Sequence, residues 1–360
     1  MVDYVTVIIY AVISVVVFAI ILTTVALLTL GERRISAFMQ DRLGPNRVGP
    51  WGLLQPVADG IKFLMKEDVI PLETNKVLFV IAPLITIIPA MLTFAVVPFG
   101  HQLYLPGGRV INLQIADLNV GILYVFAIAS MGIFGIIIGG WASNNKYSLL
   151  GGLRSASQFI SYEIAMGLSV IGILMVYGSL KLNDIAQYQG SLWFNAIPKW
   201  GILVQPLGFL IFIVSVFAET NRVPFDLPEA EAELVGGYHT EYSSMKFAFF
   251  FMGEYANMIT ASALLATLYF GGWQVPYLHN VGFVVPKLGI LHMSQWLVAI
   301  LEVLSFIIKV GFFLFFFLWV RWTLPRFRFD QLTNLGWKVL IPLGLLNIVI
   351  TGVLIMLKVI

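Results

Sequence analysis

Six carboxylates crowd a short polar segment between two apolar stretches of the chain: Glu219, Asp226, Glu229, Glu231, Glu233 and Glu241. Only Arg222 and Lys246 oppose them there. Crowded carboxylates raise one another's pKa and share protons, so the pattern predicts proton handling. Two plainer interpretations stay open. The segment is a solvated acidic loop, or Asp226 is the N-cap and Glu229 the third residue of a following helix, with Glu233 on their face.

Single ionisable residues also interrupt apolar stretches elsewhere in the chain: Glu163, Glu254, Glu302 and Lys309. An ionisable group in hydrocarbon costs at least ~3 kcal/mol, so each is a candidate functional group. Glu163 and Glu254 share the level of the acidic segment, and together these groups predict a path for protons. Glu302 and Lys309 lie about 10 Å apart on one helix face, too far for a direct pair, and neither is assigned a role.

The elements that position these groups must be membrane helices. Hydrophobic residues make up 59% of the chain, charged residues only 11%, and the mean hydropathy is +0.91. A soluble domain carries about 25% charged residues. Because a helix needs about 20 apolar residues to cross a bilayer, we predict an all-α integral membrane protein with about eight transmembrane helices in one domain, 1–360. The predicted spans are 5–30, 77–98, 120–141, 160–180, 202–218, 247–270, 296–320 and 339–357.

Most lysines and arginines fall in the loops after the odd-numbered spans, which places those loops in the cytoplasm and both termini outside. The first span is too long for the core of a signal peptide, so we interpret it as a retained helix. The basic residues are dispersed by topology, and a net charge of +2 gives no indication of nucleic-acid binding.

Redox cofactors have few possible ligands in this chain. It contains no cysteine, which excludes thiolate-ligated iron–sulfur clusters, and neither nucleotide-binding glycine motif is present. The four histidines fall in predicted loops, where they cannot form paired axial haem ligands. We therefore predict no metal and no bound cofactor, and any electrons must come from a partner subunit.

The first cytoplasmic loop is too long for a simple connector. Residues 50–65 predict an interfacial amphipathic helix, because Gln55, Asp59, Lys62 and Lys66 form one polar stripe on an apolar background. Such a helix is either a structural cap over the bundle or a doorway through which a lipid-soluble ligand leaves the bilayer.

Two segments carry a family resemblance: ERRISAFMQDRLGPNRVGP at 32–50, followed by GLLQPVADGIK at 52–62, and AETNRVPFDLPEAEAELV at 218–235. Both resemble subunit 1 of proton-pumping NADH:quinone oxidoreductase, respiratory complex I, which is known in bacteria as its H subunit. Shorter matches occur at 140–144, 161–163 and 325–332, so the resemblance covers nearly the whole chain. Arg34 and Phe38 depart from the mitochondrial pattern, which has lysine and tyrosine there, but neither change removes an acidic group.

The resemblance implies a chain that anchors the peripheral arm and forms most of the quinone tunnel. It implies that the proton path comprises Glu163, Glu219, Glu229, Glu231, Glu233 and Glu254. It places Arg33, Asp59 and Phe225 in or beside the quinone chamber, and it assigns the binding of peripheral subunits to Arg321, Arg326, Arg328 and Asp330. Quinone is then the substrate, while NADH, FMN and iron–sulfur clusters belong to partner subunits.

The implied partners are the peripheral iron–sulfur subunits, small and antiporter-like membrane subunits, and membrane lipid. The implied location is the inner membrane of a bacterium; a mitochondrial inner or plastid membrane is the alternative. Two rival functions stay open: the equivalent subunit of a hydrogenase or formate hydrogenlyase complex, and a stand-alone ion-coupled transporter.

Overall fold

The structure is a computed structural model that describes residues 4–105, 109–193, 197–279, 282–285 and 289–358. This part of the chain contains thirteen α-helices: α1 Tyr4–Met39, α2 Gln55–Met65, α3 Lys76–Leu92, α4 Gly121–Ala142, α5 Lys146–Tyr177, α6 Leu182–Tyr188, α7 Gly201–Val204, α8 Pro206–Glu219, α9 Glu231–Leu234, α10 Ser244–Tyr269, α11 Gln295–Thr323, α12 Phe329–Asn334 and α13 Ile341–Met356. The predicted all-α membrane class is confirmed.

Three small antiparallel sheets complete the described secondary structure: β1 Gln102–Leu105 with β2 Arg109–Asn112, β3 Leu192–Trp193 with β4 Ile197–Pro198, and β5 Leu278–His279 with β6 Gly282–Val285 and β7 Gly289–His292. Each sheet follows an even-numbered predicted span. They therefore lie at the end of the helical bundle opposite the acidic segment, which follows the fifth span.

Six helical segments in the described chain are long and apolar enough to cross a membrane: α1, α3 with the 3-10 turn that follows it, α4, α5, α11, and the continuous run from α12 to α13. The other two predicted spans fall on α8, which is only 14 residues long, and on α10, which carries Glu254 within its 26 residues. The predicted total of eight spans stays a prediction.

The boundary of the fourth predicted span is wrong. Helix α5 begins at Lys146, so most of the segment predicted as a loop before residue 160 is helical. Hydropathy marks only the part of a helix that faces apolar surroundings. The first turns of α5 instead bury polar side chains such as Ser148, Ser155 and Gln158 inside the protein.

The helix predicted in the first loop exists but begins five residues later than expected. A 3-10 turn covers Pro50–Gly52, and Trp51 and Gly52 both have positive φ, so an α-helix cannot start there. Helix α2 then runs from Gln55 to Met65 with the predicted polar stripe on one side.

Helix α10 is the helix that the others surround. Every residue from Met258 to Tyr269 is buried, and α10 packs against α3, α11 and α1. Helices α3 and α4 approach closely at Gly135, where an added Cβ would lie 2.2 Å from Thr86 Oγ1. Small residues permit such close contact between membrane helices. This packing brings the ends of α1, α10 and α11 together beside the acidic segment.

Candidate functional site

Arg222 is a buried cation between carboxylates from two helices, and only 2% of its side chain is exposed. Its Nη1 lies 3.0 Å from Glu32 Oε2, and its Nε lies 2.7 Å from Glu254 Oε1. The guanidinium also sits 4.4 Å from the centre of the Tyr255 ring. Burial alone would lower the pKa of Arg222, but the two carboxylates raise it well above its ordinary value. Arg222 therefore stays charged and holds α1 and α10 together.

Glu32 is the functional residue that sequence reasoning missed. Its carboxylate accepts hydrogen bonds from Arg222 and, at 2.7 Å, from the Tyr255 hydroxyl, and it forms an ion pair with Arg321. The first predicted span ended at residue 30, which left Glu32 in a loop. Helix α1 continues to Met39, and Glu32 lies on the same buried face as Ile21 and Val25. Extending that helical period past residue 30 would have identified it.

The acidic segment folds back over this ion-pair network. Asp226 Oδ2 lies 2.6 Å from Arg326 Nη2, while buried Asp226 Oδ1 has no hydrogen-bond partner in the described chain. Burial and the neighbouring carboxylate of Glu229 raise the pKa of Asp226 to about 7, although Arg326 opposes the shift. Burial would also raise the pKa of Glu229, but contact with His239 at 3.3 Å and the nearby arginines lower it overall. Two adjacent carboxyl groups therefore have pKa values that are shifted in opposite directions.

Tyr238 is a second residue that sequence reasoning did not select. It is buried, and burial together with the carboxylates of Glu229, Glu254 and Asp226 raises its pKa well above the ordinary value. Its hydroxyl therefore keeps its proton among three acidic groups.

The interpretation of Asp226 and Glu229 as a capping box is wrong. Residues 227–230 form turns, and α9 begins only at Glu231, with Ala230 at its N-cap and no side-chain cap. The physical reason is competition, because Arg326 and His239 bind the two carboxylates that would have capped a helix.

The other acidic residues of the predicted proton path occupy three different surroundings. Glu163 binds the hydroxyl of Ser130 and interacts electrostatically with Glu219 at the end of α8. Glu233 is half exposed and pairs with Arg154 at 2.6 Å. The side chain of Glu231 lies outside the described part of the structure. Of the six predicted residues, the network around Arg222 therefore brings together Glu229 and Glu254, and Glu163 and Glu219 form a separate pair.

A cavity of about 750 Å³ opens beside these groups, between α1, α2, α10 and α11. Arg33 and Asp59 line it as predicted positions of the quinone chamber, and they pair with each other at 2.6 Å. Glu32 and Arg321 also line it, so the cavity touches the ion-pair network directly. Phe225 is not among the described lining residues; it is buried against Phe327, with ring centres 5.4 Å apart.

The four predicted partner-binding residues divide into two groups. Arg321 and Arg326 bind carboxylates of this chain, Glu32 and Asp226 respectively, and so help to close the network. Arg328 and Asp330 are exposed at the start of α12, where contact with another subunit stays a prediction.

The two unassigned charges lie elsewhere. Glu302 accepts a hydrogen bond from the backbone N–H of His101 at 2.8 Å, while Lys309 Nζ donates to the carbonyls of Gly272 and Gln274. They form no direct pair, as their spacing predicted. No group of three or more metal-ligating side chains was found within the described residues.

Asp226 is expected to take up a proton near neutral pH. Since its pKa is raised to about 7, its carboxyl is protonated below that pH and ionised above it. Infrared difference spectra of the purified protein should show a carboxylic C=O signal that disappears as pH rises through 7, and Asp226→Asn should remove it. Asp330→Asn, at an exposed acid, is the matched control. An unchanged signal in Asp226→Asn would contradict this assignment.

Comparison with known proteins shows one consistent family. A family model described as NADH dehydrogenase matches residues 12–352. The chain is 53% identical over 341 residues to an H subunit of NADH-quinone oxidoreductase, the one numbered 1, from Cytophaga hutchinsonii, with 95% of each chain covered. It is 50% identical to the H subunit of the same enzyme from Flavobacterium psychrophilum, covering 96% of this chain and 97% of that one. It is also 49% identical to NADH-quinone oxidoreductase subunit 8 of Rhodothermus marinus, covering 91% and 92%. The chain therefore belongs to the family of H subunits of NADH-quinone oxidoreductase.

Proposed function

We propose that this chain binds a lipid quinone in the cavity beside α2 and links quinone reduction to proton translocation by neighbouring subunits. The observation that carries the proposal is the position of Glu32. Its carboxylate lines the cavity and binds Arg222, which in turn binds Glu254. A change of charge or protonation in the cavity therefore acts on groups buried in the bundle through one guanidinium, with no solvent-exposed group between them.

The chemistry of the cavity suits a quinone. Its walls are largely apolar, with Phe63, Phe251 and Met252 among them, while the Arg33–Asp59 pair supplies polar groups at one end. Quinone reduction consumes two electrons and two protons. The electrons come from NADH through the FMN and iron–sulfur clusters of partner subunits, while carboxyl groups of this chain exchange the protons.

The proton path starts at Glu32 and includes Glu254, Glu229 and Asp226, which surround Arg222 and Tyr238. Glu163 and Glu219 extend it along α5 and α8 toward the small and antiporter-like membrane subunits. Glu231 and Glu233 belong to the same proposal as acidic groups near the surface. Low-dielectric surroundings make such groups responsive, because any change in one charge shifts the protonation of its neighbours.

The remaining features of the proposal concern assembly. Arg328 and Asp330 on the exposed start of α12 bind the peripheral iron–sulfur subunits. The chain forms a single transmembrane domain in the inner membrane of a bacterium, with the acidic segment on the cytoplasmic side, and α2 lies at the membrane surface. The names of the curated relatives favour this function over a hydrogenase component or a stand-alone transporter.

A bulky residue on the cavity side of α2 should block quinone. Gly60 lines the cavity, and a Cβ added there meets no atom within 4 Å, so Gly60→Trp fills space without disturbing packing. We expect quinone-dependent NADH oxidation by the assembled complex to fall at least about tenfold, because the ligand and the indole compete for one volume.

Oxidation of NADH by an artificial water-soluble acceptor should be unchanged in Gly60→Trp, since that reaction needs only the peripheral subunits. Val57→Trp provides the control: the same helix carries it, its side chain is 58% exposed, and it does not line the cavity. Equal loss of both activities in an assembled complex, or equal rates in both variants, would contradict quinone binding in this cavity.

A further inference from the structure

One face of α1 lines two cavities. The first is the 750 Å³ cavity of the proposed quinone site. The second is an apolar crevice of about 420 Å³ between α1 and α3, lined from α1 by Ser14, Val17, Phe18, Ile21 and Leu22. Leu22 lines both, so the two spaces meet at this residue.

The lining residues of α1 form one continuous stripe. They recur every three or four positions from Ser14 to Ser36, which places them on a single helix face about 33 Å long. The stripe is almost wholly apolar as far as Ala26 and becomes polar at Glu32 and Arg33. It therefore fits an amphiphilic ligand whose polar head lies at the cytoplasmic end and whose tail follows α1 toward the other side.

The opposite wall of the crevice is equally apolar. Ile87, Ile88 and Met91 of α3 line it together with Phe94. Ser14 is the polar exception in the described lining, and its hydroxyl donates to the carbonyl of Tyr10 within α1. The crevice offers no polar group to a ligand, and a flexible hydrocarbon chain matches it.

We propose that this crevice holds the isoprenoid tail of the quinone whose head occupies the cavity beside α2. The inference rests on the proposed function, which it deepens by naming the subsite for the tail. A groove of single-helix width accommodates one chain, as in a quinone, whereas a diacyl phospholipid carries two. The gain comes from packing and orientation, because lipid outside the crevice is as apolar as its walls.

Photolabelling tests the inference in the assembled complex in lipid nanodiscs. A long-tailed quinone with a diazirine at the end of the tail should label residues 14–22 or 87–95, and unlabelled quinone should displace it. Val17→Trp and Ile88→Trp, on opposite walls, should each reduce this labelling severalfold. Val15→Trp should not, since Val15 lies on the same helix, is 69% exposed and is absent from the lining.

Steady-state kinetics gives a second readout. The groove-filling variants should lower kcat/KM for a long-tailed quinone about threefold while leaving a short-tailed quinone unaffected, because only packing of the tail is lost. Equal labelling in all three variants, or equal kinetic loss for both tail lengths, would overturn the inference.

Two further results separate this inference from its foundation. A quinone labelled on its head should mark α2 or α10. Failure of that label overturns the proposed function, whereas a head label in the cavity with a tail label elsewhere overturns only the tail subsite. A diazirine phospholipid that labels the crevice in the presence of saturating quinone assigns the crevice to phospholipid and overturns the inference as well.

Discussion

Glu254→Gln is expected to leave the complex assembled but to abolish quinone reduction and coupled proton translocation together. Glutamine keeps the shape and hydrogen-bonding capacity of Glu254 but cannot release a proton by ionising. Glu32 still compensates Arg222 in this variant, so the fold should tolerate the change. Because a positioned proton-transfer group contributes about a hundredfold or more to a rate, we expect a loss of at least that size.

The measurement combines quinone-dependent NADH oxidation with a pH-gradient dye in reconstituted vesicles. Glu254→Asp should retain part of both activities, because it keeps an ionisable proton on a shorter side chain. Asp330→Asn is the matched control, since it neutralises an exposed acid far from the Arg222 network. Wild-type rates for Glu254→Gln in both assays would remove Glu254 from the proton path.

Arg222→Met should cause the largest loss of stability. It removes the only cation that contacts both Glu32 and Glu254 in the described chain and leaves Glu254 buried without an ion-pair partner. Breaking a buried ion pair from one side costs about 3–5 kcal/mol, because the remaining charge stays desolvated. We expect the variant to lower the unfolding temperature of the purified complex and the amount of this chain that assembles. Arg328→Met, at an exposed arginine, should have little effect.

A compensating variant makes the cause testable. If uncompensated charge is the source of the loss, Arg222→Met combined with Glu254→Gln should be more stable than Arg222→Met alone. Arg222→Lys should fall between wild type and Arg222→Met, since it keeps the charge but replaces the planar fork that reaches two carboxylates. No recovery in the double variant would show that Arg222 acts mainly through packing.

Much of this protein follows from its sequence. Long apolar stretches specify membrane helices because no other local structure satisfies the backbone in hydrocarbon, and the all-α class was predictable on that ground. The periodicity of Gln55, Asp59 and Lys62 specified α2 and its polar side. The spacing of Glu302 and Lys309 excluded a direct pair, because helix rise fixes their separation.

The tertiary structure decided how the charges are paired. Glu32 and Arg222 lie 190 residues apart in the chain, and no local pattern indicates that α1, the acidic segment and α10 bring them to 3.0 Å. The same holds for Asp226, which its sequence neighbours made a helix cap and which Arg326 instead binds from 100 residues away. A buried charge must find its partner wherever packing supplies one, so charge identity is local while charge pairing is global. The sequence alone thus determined which groups can carry protons, and only the tertiary structure decided that Glu32 joins the cavity to them.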